Sequence, residues 1–164
     1  MIDYLIVGQG LSGSCFALEC LEHSKSFLII DNDYMSASKV ASGIFNPVVL
    51  KRFSPVWRAK EHLKQMNTTF ARFELLLKSK YLEYMPLFRL IHDKNELHTW
   101  IQKSKLEHLK DFLASEFYLN PYPFVKTLEP MGKVKDCGRI LLKSLFRGLQ
   151  ILSSRGKVAY KRIF

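Results

Sequence analysis

The residues that could do chemistry lie near the start of the chain, in Gly8-Gln9-Gly10-Leu11-Ser12-Gly13, with Asp31 following. Three glycines at this spacing suit a polyphosphate. Gly8 allows a sharp turn out of a strand, and Gly10, lacking a Cβ, lets a pyrophosphate reach the backbone. Gly13 lets a helix lie close to the strand it follows. If a helix starts there, the free N–H groups around Leu11 and Ser12 point at the phosphates, and its dipole favours their negative charge. A carboxylate about 20 residues further on, here Asp31, can accept hydrogen bonds from ribose hydroxyls. An acid in that place favours a ribose without a 2′-phosphate, hence FAD or NAD over NADP.

Positioning these groups requires strand, turn, helix and second strand. Asp3-Tyr4-Leu5-Ile6-Val7 is a short apolar run of the kind buried on both faces of a parallel sheet. Gly13, Ala17, Cys20 and Leu21 fall at helical spacing, small residues first. Phe27-Leu28-Ile29-Ile30 is a second apolar run, and it ends in Asp31. A glycine-rich turn alone is a weak signal. The agreement of strand, helix, second strand and acid makes this a specific one, for a dinucleotide-binding βαβ unit.

At 164 residues with 48% hydrophobic content, the chain is long enough for an ordinary domain with a core. No apolar stretch approaches the ~20 residues of a membrane-spanning helix. Asp3 stands where a signal peptide carries positive charge, so a cytoplasmic protein is expected. Cys15, Cys20 and Cys137 form neither a disulfide framework nor a metal spacing, and the first two are expected to be small packing residues of the first helix. His23, His62, His92, His98 and His108 are scattered among charged residues, and no metal site is expected. The net charge of +10 would suit RNA. The basic residues are dispersed, however, so a lysine-rich surface is expected and nucleic-acid binding is not.

After Asp31 comes a polar loop to Ser38. Ala41, Ser42 and Gly43 then let backbone approach something flat or charged, and Asn46-Pro47 signals a turn. Taken with the glycine fingerprint, Val40 to Lys51, and chiefly Gly43-Ile44-Phe45-Asn46-Pro47, resembles a second cofactor-contacting stretch. That stretch belongs to the FAD-dependent amino-acid oxidase family, which contains D-amino acid oxidase, glycine oxidase and sarcosine oxidase. The resemblance implies FAD, contacted by Ser38, Ser42, Gly43 and Ile44 as well as by Gly8, Gly10, Leu11, Ser12, Gly13 and Asp31. It implies a small amine or amino-acid substrate, with hydride passing from the C–H next to nitrogen to the flavin. Two departures do not block binding: Ser24 stands where many members carry glycine, and Asp31 replaces the commoner glutamate.

Members of that family are roughly twice as long, so the resemblance makes this chain an N-terminal part. The implied fold class is α/β, a Rossmann-like FAD-binding βαβ unit with part of an α+β substrate domain. The implied division is a βαβ core at residues 1–56, a partial substrate domain at 57–136, and a return to the FAD-binding domain at 137–164. No catalytic residue can be named, and this chain alone is not expected to turn over substrate. Two other functions stay open. One is a flavoprotein resembling the tRNA uridine-modifying members of the same superfamily, where the positive charge would serve RNA. The other is a truncated chain without activity.

Later elements follow from periodicity. Ala59, Leu63, Met66, Phe70, Phe73 and Leu77 predict one amphipathic helix, its aromatic stripe facing a core. A strand is expected at Met85–Ile91, then a helix capped by Asp93 and running through Leu97, Trp100 and Ile101. A further helix is expected from Leu106 to Phe117, and irregular chain at Tyr118–Phe124. Cys137-Gly138-Arg139-Ile140 resembles the family's turn back into the FAD domain, followed by a helix over Leu141–Leu149 and a strand over Lys157–Phe164. Arg52, Arg58 and Arg89 could meet an anion, but each is expected to be a surface residue.

Overall fold

The computed structural model describes the chain except residues 33–36, 121–123, 125, 127–128, 155–158 and 163–164. The elements are β1 Tyr4–Val7, α1 Leu11–Glu22, β2 Phe27–Asp31, α2 Ala37–Val40, β3 Ile44–Phe45, β4 Val48–Val49, β5 Ser54–Pro55 and α3 Ala59–Leu77. There follow β6 Leu82–Tyr84, β7 Leu87–Arg89, α4 Lys94–Ser104, β8 Leu113–Tyr118, β9 Met131–Val134, β10 Gly138–Ile140, α5 Leu142–Ser154 and β11 Ala159–Arg162. They group into two compact units: Met1–Gly43 with Asn67–Leu82 and Ile140–Phe164, and Ile44–Met66 with Glu83–Arg139. This differs from a division at 56 and 136, because α3 gives its residues from Asn67 onward, including buried Phe70 and Phe73, to the first unit.

The first unit is built on a parallel sheet in the order β1-β2-β11. Leu5 lies beside Leu28 and Val7 beside Ile30, while Ala159 flanks Leu28 on its other side. Helix α1 covers one face. Ala17 and Cys20 pack there against Ile6, Phe27 and Ile29, all nearly inaccessible. Arg72 of α3 donates to Glu19 at 2.6 Å and also to Glu22, which ties α3 to α1 through a forked ion pair. Its hydrogen bonds to Glu19 and then Glu22 raise the guanidinium's pKa.

The second face of this sheet corrects the expectation that the first strand is buried on both faces. Leu5 is 59% exposed and Val7 79%. Among the described residues β1 has β2 as its one neighbour, and no element covers the face carrying these two side chains. The apolar run is of the buried-strand type, but burial depends on neighbours that no local pattern supplies.

In the second unit, α4 packs on an antiparallel sheet in the order β7-β9-β8. Asp93 caps α4 as its sequence predicts, accepting from the Glu96 N–H at 2.8 Å. Trp100 is fully buried with Ile91, Leu109, Leu113 and Val134, and its indole N–H donates to the Ala114 carbonyl at 2.9 Å. The helix expected over Leu106–Phe117 is not formed. Turns carry the chain to Phe112, and Leu113–Tyr118 is strand β8, paired with β9. Leu109, Phe112 and Leu113 mimic a helical face because single turns bury them at that spacing. From Leu113 onward the nonlocal ladder wins. Cys137–Ile140 likewise contributes a strand, β10, in the sheet β3-β10-β6. The strand expected over 157–164 is seen as β11, and its flanks lie outside the described residues. No helix among the described residues is long and apolar enough to cross a membrane.

Candidate dinucleotide site

The site forms at the carboxyl end of the parallel pair β1–β2, where open α/β sheets bind ligands. The turn leaves β1 at Gly8, whose φ is +94° and whose N–H donates to the Ile30 carbonyl at 2.7 Å. This clasp sets Gly8 next to Asp31, the last residue of β2. Helix α1 opens at Leu11 behind Gly10, which offers no side-chain cap. Its first donors are therefore directed out of the turn.

Gly13 shows the tightest approach in the turn. A Cβ built there would lie 2.1 Å from the Gly8 carbonyl oxygen and 3.3 Å from Ile6 Cγ2. The helix can start this close to β1 only on a residue without a side chain.

Ser38, carried by the short helix α2, reaches back to this turn. Its Oγ accepts from the Leu11 N–H at 3.2 Å and sits 3.3 Å from where a Gly10 Cβ would be. Gly8, Gly10, Leu11, Asp31 and Ser38 thus converge, with Ser12 exposed and Gly13 packed in the same turn of helix. The remaining residues do not join them. Ser42 is exposed. Gly43, at φ +75°, accepts from the Ile140 N–H at 2.9 Å, and a Cβ there would lie 2.1 Å from the Ile140 carbonyl oxygen. What approaches Gly43 is backbone. Ile44 begins β3 in the other unit and is 59% exposed.

Two polar side chains of the turn were not singled out by the sequence reading. Gln9 is only 6% exposed, and Ser14 is 1% exposed with its hydroxyl sealed and unpartnered.

Elsewhere two of the three cationic candidates are occupied. Arg89 pairs with Glu96 at 2.6 Å, and Arg58 lies over the exposed Trp57 ring and 3.6 Å from Glu61. Arg52 is exposed. In the second unit, a cavity of about 420 Å³ is lined by Tyr84–Pro86 and Lys133–Cys137. Its Cys137 thiol is pushed up to about 12 by burial, then by the neighbouring Asp136 charge, and stays protonated. No cluster of metal-ligating side chains occurs among the described residues.

The fold and turn define the class: a Rossmann-type α/β arrangement with a dinucleotide fingerprint on its first βαβ unit. No family model matches the sequence. Among solved structures the chain is similar to iminodiacetate oxidase from Chelativorans sp. BNC1, with TM-score 0.73, 12% identity, and coverage of 98% of this chain and 46% of that one. It is similar to glycine oxidase from Geobacillus kaustophilus, with TM-score 0.68, 14% identity, and coverage of 96% and 45%. L-α-glycerophosphate oxidase from Mycoplasma pneumoniae, solved with FAD bound, matches at TM-score 0.53 and 15% identity, with coverage of 96% and 44%. Likeness at these identities establishes the fold. The chain spans under half the length of each of these proteins.

Proposed function

We propose that the chain is the FAD-binding N-terminal part of an oxidoreductase of the amino-acid or amine oxidase type. The observation that carries this reading is the glycine turn at the carboxyl end of β1, set beside Asp31 by the Gly8 to Ile30 hydrogen bond. The similarity in fold to glycine oxidase and iminodiacetate oxidase supports it. The residues fit a dinucleotide. Gly10 makes no side-chain cap, so the start of α1 keeps backbone donors for a diphosphate beside the Leu11 N–H that Ser38 takes, and Gly10 keeps the approach free of a Cβ. Gly8, Gly10, Leu11, Ser12 and Gly13 would hold the diphosphate, with Ser38 at its edge. Asp31 would accept from the adenosine ribose. Ser42 would be the contact further along the chain, since Gly43 is packed on the Ile140 backbone. Bound FAD would supply the hydride acceptor; the protein supplies position and electrostatics. The substrate is a small amine or amino acid.

The test is FAD binding followed by fluorescence quenching. Gly10→Val sets a branched side chain against Ser38 Oγ at the phosphate approach. Affinity should fall at least about 100-fold while the circular dichroism spectrum is retained, because the nearest neighbour is a mobile hydroxyl. Equal affinity in both proteins would remove the fingerprint assignment.

Asp31→Ala should weaken FAD by roughly 1.5–3 kcal/mol, the scale of a charge-assisted hydrogen bond, and FMN much less because it lacks the adenosine ribose. A matched loss for both flavins would contradict the ribose role.

A further inference from the structure

We propose that the surface around Trp57 docks an acidic polypeptide, with the indole as its apolar anchor and Arg58, Lys51 and Arg52 as its cations. The surface lies wholly in the second unit and is independent of the cofactor reading.

Trp57 follows the antiparallel hairpin β4–β5 and is 74% exposed. What carries it is anchored. Val48 and Phe53 of the hairpin, and Ala59 at the start of α3, are buried in the same core as Trp100. The Val56 N–H donates to the Pro47 carbonyl at 2.8 Å, and the Ala59 N–H donates to the Val56 carbonyl at 3.1 Å. Trp57 and Arg58 are thus the central residues of a tight turn. The indole is held by two neighbours. The Arg58 guanidinium stands over it, 5.4 Å from the centroid, and the His62 ring meets it edge-on at 5.7 Å.

Two features here are costly in the free protein. A large indole stays in water, and Arg58 takes φ +51° at a turn position where glycine is usual. The return within the chain is small. Arg58 lies 3.6 Å from Glu61, and both side chains are more than half exposed, so the pair adds little. Strain of this kind persists where a site uses it. An arginine in place of glycine keeps a cation over the indole. A fixed tryptophan beside an arginine has the composition of an interface hot spot, and binding costs less when the anchor is already held.

Charge selects the partner. Lys51 and Arg52 are exposed in the turn of the hairpin, and with Arg58 they outnumber the Glu61 carboxylate. The whole chain carries +10, which steers acidic partners in and opposes docking of a second copy. Val49 and Val56, 42% and 36% exposed, add aliphatic surface on the hairpin and at its exit. A polypeptide buries such surface, whereas single-stranded nucleic acid stacks on ring faces.

Selection from a random-peptide display library on the wild-type chain, with counter-selection on Trp57→Ala, supplies the probe. The enriched peptides should be net acidic and carry an apolar cluster. A synthetic copy titrated in solution should shift the Trp57 emission to the blue. Trp57→Ala and Arg58→Glu should each weaken it at least about tenfold. Lys25→Glu makes the same change of charge in the first unit and should stay within about twofold. Arg58→Gly separates docking from folding. Its melting temperature should equal or exceed that of the wild type, because glycine accepts a positive φ freely, while peptide affinity still falls about tenfold.

Failure to enrich any peptide that depends on Trp57 overturns the inference, as does enrichment of basic or uncharged peptides. Equal losses in Lys25→Glu and Arg58→Glu reduce the effect to net charge and overturn it too. An Arg58→Gly protein that melts well below the wild type makes Arg58 structural and removes it as a docking cation. If oligouridylate binds the wild type more tightly than the peptide and loses that binding in Trp57→Ala, the surface serves nucleic acid and the inference falls.

Discussion

Gly13→Ala should destabilise the first unit by about 3 kcal/mol or more. The new methyl would be placed 2.1 Å from the Gly8 carbonyl oxygen and 3.3 Å from the Gly8 carbonyl carbon. Both are backbone atoms of the turn, so no side-chain rotation relieves the overlap. The alternative is to lift α1 off β1, and that opens the cluster of Ile6, Ala17, Cys20, Phe27 and Ile29. Overpacking in a compliant core costs about 1–3 kcal/mol, and a clash with fixed backbone belongs at or above the top of that range. Urea denaturation followed by circular dichroism should show the loss. A midpoint equal to wild type would mean that the helix starts further from the strand than described. Gly13→Ala and Gly10→Val thus separate two roles inside one motif, the first reported by stability and the second by affinity.

Trp100→Ala should cost about 3–5 kcal/mol in the second unit. The ring is fully buried, stands edge-on to Phe53 at 5.1 Å, and covers Gly132 so closely that a Cβ there would lie 2.6 Å from it. Truncation also removes the donor from the Ala114 carbonyl, adding about 1 kcal/mol. Fluorescence gives a direct readout, because the chain has two tryptophans and the other, Trp57, is 74% exposed. The blue-shifted component should vanish, and the urea midpoint should fall. Retention of both would refute Trp100 as the centre of this core.

Much of the first unit was legible because its constraints are local. The glycine spacing, the apolar runs and Asp31 all act within one βαβ stretch, and α1, β2 and the register of Val7 beside Ile30 agree with them. Ser24 is instructive. It departs from the glycine that the resemblance leads one to expect, and its φ of +52° shows why glycine suits that place. The amphipathic stripe of α3 and the Asp93 cap were legible for the same reason. What failed was nonlocal. Leu109, Phe112 and Leu113 repeat at helical spacing, yet β8 forms because β9 lies beside it. The exposure of Leu5 and Val7 reflects neighbours, not composition.

The strand β11 has a kinetic consequence. Its Ala159 lies beside Leu28, so the sheet that presents the glycine turn gains its third strand only after nearly all of the intervening chain has been synthesised. Pairings of such sequence separation carry a large loop-closure entropy and slow folding. During synthesis, β1, α1 and β2 must wait as a two-stranded intermediate with both outer edges unpaired. Such species associate readily with other unfinished chains. The yield of native protein should therefore depend on elongation speed and temperature during expression more than on the stability of the finished fold.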